Sequence, residues 1–206
     1  MGVKTELPDF VERISNRLGI FFAGWPLTPN QWTLLSVVPA LAGFIALVYG
    51  QLAAGIVLFA LSAVIDAIDG GVARMSGAVT RLGAFLDGLM DRVVEALLLF
   101  GLMFSNLVAD WMLPAHAWIA ILLFAGTAMT SYVRAYAHHR RAVTDEKKLG
   151  RMGGVLERPE RLILVFAGMA AWFVQPIYLT YALAAASLLA CITVLQRIWF
   201  VVKNAE

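Results

Sequence analysis

The chain has 206 residues, of which 61% are hydrophobic and only 15% charged. Soluble domains carry about 25% charged residues, so this composition excludes an ordinary water-soluble globule. The formal net charge of +2 is small, no nucleic-acid partner is expected, and a single cysteine, Cys191, excludes a disulfide framework or a cysteine zinc site.

The apolar residues fall in runs near the roughly 20 residues that cross a bilayer as a helix. The expected fold class is therefore all-α, an integral membrane bundle in one domain covering residues 1–206. The first thirty residues hold Lys4, Glu6, Asp9, Glu12, Arg13 and Arg17, with no uninterrupted apolar region, so no signal peptide is expected. Phe10, Ile14, Leu18 and Phe21 recur at helical spacing, which predicts a short amphipathic helix at the interface over about 7–22. Six spanning segments follow within about 30–202: 30–49, 52–73, 82–107, 115–137, 161–174 and 177–201. Pro26, Pro29, Gly50, Pro114, Pro159 and Pro176 mark the divisions. Six tryptophans fall near the expected interfaces, as aromatic belts do.

Six spans put both termini on one side. All 16 basic residues lie toward that side, and the loops at 50–51, 105–114 and 175–176 contain none. Positive charge is retained on the cytoplasmic face, so both termini and the loops rich in acids and bases are expected there, in the cell membrane. The longest polar stretch, His138 to Arg158, reads as a solvated loop held to anionic headgroups through Arg140, Arg141, Lys147 and Lys148.

The second and third spans carry the chemistry. Asp66 and Asp69 are three apart near the end of one helix; Asp87 and Asp91 are four apart near the start of the next. Both spacings place the carboxylates on one helix face, and a short connection lets the pairs converge. Carboxylates in a membrane span are costly and mark a function by default. Arg74 or Arg81 could offset their repulsion as a buried ion-pair cluster, but a divalent cation does so better. A set of oxygen donors without Cys or His suits magnesium, manganese or calcium. Glycines 70, 71, 77, 83 and 88 interleave with the acids, where a missing side chain allows a ligand or a helix to come close. Arg74, one turn beyond Gly70, is suited to a phosphate oxygen. Metal, carboxylates and arginine together suggest phosphoryl transfer. A different class of function, cation transport through the four acids, is opposed by their crowding toward one face, with no second polar gate in the apolar halves.

The residues Asp66 to Asp91 fit D-x2-D-G-x2-A-R-x8-G-x3-D-x3-D at every fixed position, which resembles the CDP-alcohol phosphotransferase family. The resemblance, which extends to the six-span layout, implies that Asp66, Asp69, Asp87 and Asp91 bind a pair of magnesium or manganese ions. It also makes Asp91 the general base on the acceptor hydroxyl. Asn30, Gly70, Ala73, Arg74, Thr80 and Gly83 would line the site for a CDP-lipid donor, and CMP would leave. Homodimers are common in the family. Ser131-Tyr132-Val133-Arg134-Ala135, Glu157 to Arg161 and Gln196-Arg197 resemble the branch that makes phosphatidylinositol phosphate or its archaeal ether-lipid equivalent. That branch implies inositol phosphate as acceptor, held by Arg134, Arg158, Arg197 and Ser131; glycerol phosphate is the next candidate. Tyr136 stands where that branch usually has a basic residue, and His138 where it usually has an acid.

Overall fold

A computed structural model describes residues 15, 17–22, 24–150 and 152–205. Among them the only extended pairing is a single bridge between Trp111 and Leu113. Residues 17–22 are helical, and then come α1 (Pro29–Val48), α2 (Leu52–Ser76), α3 (Arg81–Met103), α4 (Ala115–His139), the short α5 (Glu146–Gly150), α6 (Arg158–Ala171) and α7 (Ile177–Asn204). Each predicted span is a helix, within a few residues at most ends.

Only α1, α2, α4 and α7 are both long and apolar enough to cross a membrane, among the described residues. α3 has 23 residues, about 34 Å of helix, but Arg81, Asp87, Asp91, Arg92 and Glu95 interrupt its first two-thirds. α6 has 14 residues, about 21 Å, which is short of the roughly 30 Å hydrocarbon core. The six-span expectation thus rests on length and apolarity for four helices. The predicted interfacial helix lies outside the described residues over 7–14.

The chain packs as two compact units, residues 1–47 with 53–98 and residues 48–52 with 99–206. In the first unit α1 begins on a reciprocal cap. The Thr28 amide donates to Gln31 Oε1 (2.8 Å) and the Gln31 amide reaches Thr28 Oγ1 (3.4 Å), with Pro29 at the first helical position. This satisfies two of the amides a helix start leaves unpaired. α1 and α2 run antiparallel: Ser62 donates to the Ser36 carbonyl at 2.7 Å, and a side chain on Gly43 would collide with Phe59. Trp32 is buried with Ile68 and Val72, and Leu18, Phe22, Leu27 and Ile65 pack around them. Trp32 and Trp118 are buried within the protein.

In the second unit α7 is the spine, packed against α4 and α6. Ser187 donates to the Trp118 carbonyl, Thr180 to that of Ala109, and the Trp172 indole to that of Leu107. These bonds pin the loop before α4. The middle of α4, Leu122–Met129, is π-helical. There Gly126 lies under the Arg161 side chain, whose Cδ would be 3.0 Å from an added Cβ. The stretch 138–158 departs from the expected solvated loop. Val143, Leu149 and Met152 are buried with Ala137, and Phe200 and Val201 of α7 pack on them. Apolar side chains spaced among the charges fold it down.

Candidate active site

The turn joining α2 to α3 sets the site. α2 ends at Ser76, and Gly77 follows with φ +64° while the Ala78 amide returns to the Ala73 carbonyl at 3.0 Å. This six-residue closure uses the left-handed conformation that glycine adopts without steric cost. Nothing lies within 4 Å of the place a Gly77 side chain would take. Its glycine is thus a requirement of the turn and not of close approach. Three residues on, Thr80 caps α3 by accepting from the Gly83 amide at 3.0 Å. Two caps in so short a connection leave the two helices little freedom in how they face each other.

One oxygen from each of Asp66, Asp69 and Asp87 can be chosen so that all three lie within 4.8 Å of one another. Oxygens sharing a divalent ion at 2.0–2.6 Å are separated by no more than about 4–5 Å, so the three carboxylates fit one. Asp69 is 5% exposed, and its buried Oδ2 has no hydrogen-bond partner among the described residues. Burying such an oxygen is costly unless a cation meets it. Thr33 and the Gly70 amide are the polar neighbours of that carboxylate. Asp91 lies one turn beyond Asp87, outside the tight group of three, with Oδ2 3.5 Å from Arg92 Nη1.

Beside the carboxylates is a cavity of about 370 Å³. Asp69, Asp87, Thr33 and all six residues expected for the nucleotide, namely Asn30, Gly70, Ala73, Arg74, Thr80 and Gly83, line it. A side chain on Gly83 would come 3.2 Å from both Asn30 Oδ1 and Thr80 Oγ1, so glycine keeps that wall open. The Arg74 guanidinium folds back along α2, with Nη1 3.4 Å from where a Gly70 side chain would begin. Its Nη2 donates to Ser15 Oγ at 2.7 Å. Thr33 and Ser15 are absent from the motif that marks the site. Thr33 follows Asn30 at helical spacing, and that spacing was the available signal. Ser15 has none.

The residues expected for an acceptor phosphate belong to the second unit. Arg197 is 8% exposed and donates to the Thr130 carbonyl, beside Ser131. Arg158 is the first residue of α6. Arg134 donates to the carbonyls of Leu149 (2.8 Å), Met152 (3.3 Å) and Gly150 (3.4 Å), so it ties α4 to the end of α5 and to Met152 beyond it. A guanidinium has five donors, so these bonds leave capacity for an anion. Tyr136 stacks on Tyr132 at 5.1 Å, and Arg140 lies over its ring.

Fold and site define a membrane protein with a divalent-cation type of carboxylate cluster on the wall of a polar-edged cavity. The chain belongs to the CDP-alcohol phosphatidyltransferase family, whose model matches residues 26–199, and it is a CDP-alcohol phosphotransferase enzyme. It is 34% identical to an archaetidylinositol phosphate synthase of Aeropyrum pernix, over 98% of this chain and 97% of that one. It is 32% identical to a phosphatidylinositol phosphate synthase of Mycobacterium tuberculosis, over 84% and 80% of the two chains. The crystal structure of the mycobacterial synthase with manganese and citrate superposes with a TM-score of 0.78 at 27% identity, covering 92% of this chain and 90% of that chain. The same protein with CDP-DAG bound gives 0.77. Membership in the family displaces the transporter reading.

Proposed function

We propose that this enzyme transfers the lipid phosphoryl group of a CDP-activated lipid to a hydroxyl of inositol phosphate at the cytoplasmic membrane face, with divalent-metal assistance. The observation that carries the reading is the cavity in which Asp69, Asp87, Arg74 and two glycine-cleared walls meet. A divalent cation suits the carboxylate oxygens of buried Asp69, half-buried Asp66 and exposed Asp87 and, when bound, would neutralise the charge of the diphosphate. In this reading Arg74 donates to a diphosphate oxygen, and Asn30 and Thr80 present polar groups to the nucleotide. Gly70 and Gly83 let the ligand approach the backbone. Asp91 takes the proton of the acceptor hydroxyl. The hydroxyl oxygen then bonds to the lipid-side phosphorus as its bond to CMP breaks, and CMP departs.

The acceptor reading is supported by what the relatives are called, an archaetidylinositol phosphate synthase and a phosphatidylinositol phosphate synthase. Arg134, Arg158 and Arg197, with Ser131, would hold the acceptor's phosphate; three cations suit one dianion. The test is CMP release from a CDP-lipid with magnesium or manganese, comparing inositol phosphate, glycerol phosphate, serine and inositol, with Asp91→Asn as the blank. Release with inositol phosphate alone is expected. Release with glycerol phosphate alone would retain the metal site and overturn the acceptor, and no metal-dependent release with any acceptor would overturn the reaction.

A further inference from the structure

Ser15 lies ahead of the segment that matches the family, 26–199, yet its side chain reaches the nucleotide wall. It is 5% exposed. Its hydroxyl donates to the Ala67 carbonyl at 2.6 Å and accepts from Arg74 Nη2 at 2.7 Å. A hydroxyl has one proton and two lone pairs, so giving the proton to Ala67 turns the lone pairs toward the guanidinium. Ala67 and Arg74 are seven apart on α2. The serine therefore spans two turns of that helix and fixes where the arginine points.

So short a side chain works only if the backbones nearly touch, and two glycines make that happen. A side chain on Gly71 would run into the Ser15 carbonyl and the Gly19 Cα, and one on Gly19 would meet the Gly71 backbone. A turn further on, Phe22 packs edge-on against Trp25 and Trp32 at 5.2 Å, and Leu18 and Phe22 cover Ile68 and Val72. The buried face of this segment is thus Ser15, Leu18, Gly19 and Phe22. Phe21, expected on an apolar stripe, is 73% exposed.

We infer that Ser15 is a positioning residue for Arg74, so that the helical segment before α1 is part of the nucleotide site. The inference rests on the reading that Arg74 holds the diphosphate of the donor. An arginine bound by a buried, oriented acceptor keeps its guanidinium at the cavity wall instead of sampling rotamers. Losing a hydrogen bond to a charged group removes about tenfold or more in affinity when that bond preorganises the ligand contact.

The test uses the full-length purified protein. Equilibrium binding of CDP with magnesium is measured for wild type, Ser15→Ala and Ser15→Cys, with the KM of each substrate and the thermal midpoint in parallel. The Kd for CDP should rise about tenfold in Ser15→Ala and by less in Ser15→Cys, which keeps a weak donor and acceptor. The KM of the acceptor should not move. A serine that only staples the helix to α2 would lower the thermal midpoint and the active fraction but leave the Kd of the folded protein unchanged, and that result overturns the inference. Wild-type CMP release, run alongside, reports on the reaction itself. If it fails while the Kd still depends on Ser15, the reaction is wrong and the tie to Arg74 stands.

Discussion

Asp69 lies beside Asp66 and Asp87, and its buried Oδ2 meets no hydrogen-bond donor among the described residues. Three carboxylates within 4.8 Å repel one another unless a cation is bound. Stability and activity therefore respond to Asp69→Asn with opposite signs. In chelator the substitution removes one repelling charge and adds a donor, so the thermal midpoint should rise, by about 2–4 °C for each kcal/mol relieved in a chain of this size. With magnesium, CMP release should fall by more than the roughly 10–100-fold that loss of a mere outer-shell partner costs a metal site. A midpoint that fell in chelator would mean the carboxylates are held by protein partners and not by an ion. The acids were legible because helical spacing converts directly into a shared face. Ser15 was not, because its partners are 52 and 59 residues away, and no local period encodes such a pairing.

At the scale of the element, the connection between α2 and α3 decides whether the two acid pairs meet. Sequence placed Gly77 among glycines that permit close approach, whereas its φ of +64° and empty surroundings assign it to the turn. The two requirements predict different tolerances. A residue that must be small rejects Asn and Val alike; a residue that must be left-handed accepts Asn far better than a β-branched side chain. Gly77→Val should cost about 1–2 kcal/mol or more, lowering the thermal midpoint by roughly 2–8 °C and weakening magnesium-dependent CDP binding. Gly77→Asn should stay near wild type in both. Equal losses in the two variants would restore the close-approach reading. Other element-level features had no readable signal. Nothing in Leu122–Met129 but Gly126 hints at a π-helical segment, and Arg161, which packs on that glycine, is 35 residues away in the sequence. The stretch 138–158 hid its fold because its buried residues, Val143, Leu149, Met152 and Leu156, are too few and too unevenly spaced to show a period.

Across the whole molecule, the helices were legible from apolar runs and breakers, but length and charge leave α3 and α6 as the two whose crossing decides topology. α3 brings five charged residues, and its acids sit at the end where the basic residues cluster, which allows the remaining apolar part to reach across. α6 is short, and a helix of 14 residues spans the core only with local thinning or flanking turns; residues 172–174 continue it as turns. Cys191, the sole cysteine, permits a direct test. In a Cys191→Ser background, single cysteines are introduced as Met112→Cys between α3 and α4, Lys148→Cys before α6, and Lys203→Cys near the end of α7. All three native side chains are exposed. Intact cells are treated with a membrane-impermeant maleimide. If all six helices cross with the basic side cytoplasmic, Met112→Cys alone is labelled, and the other two react only after permeabilisation. Labelling of Lys203→Cys with Lys148→Cys protected would mean that α6 stays on the cytoplasmic side and the chain crosses five times. Protection of Met112→Cys with Lys148→Cys labelled would mean that α3 lies within one leaflet, which would place its acids away from the end of α2 that the turn at Gly77 holds them against.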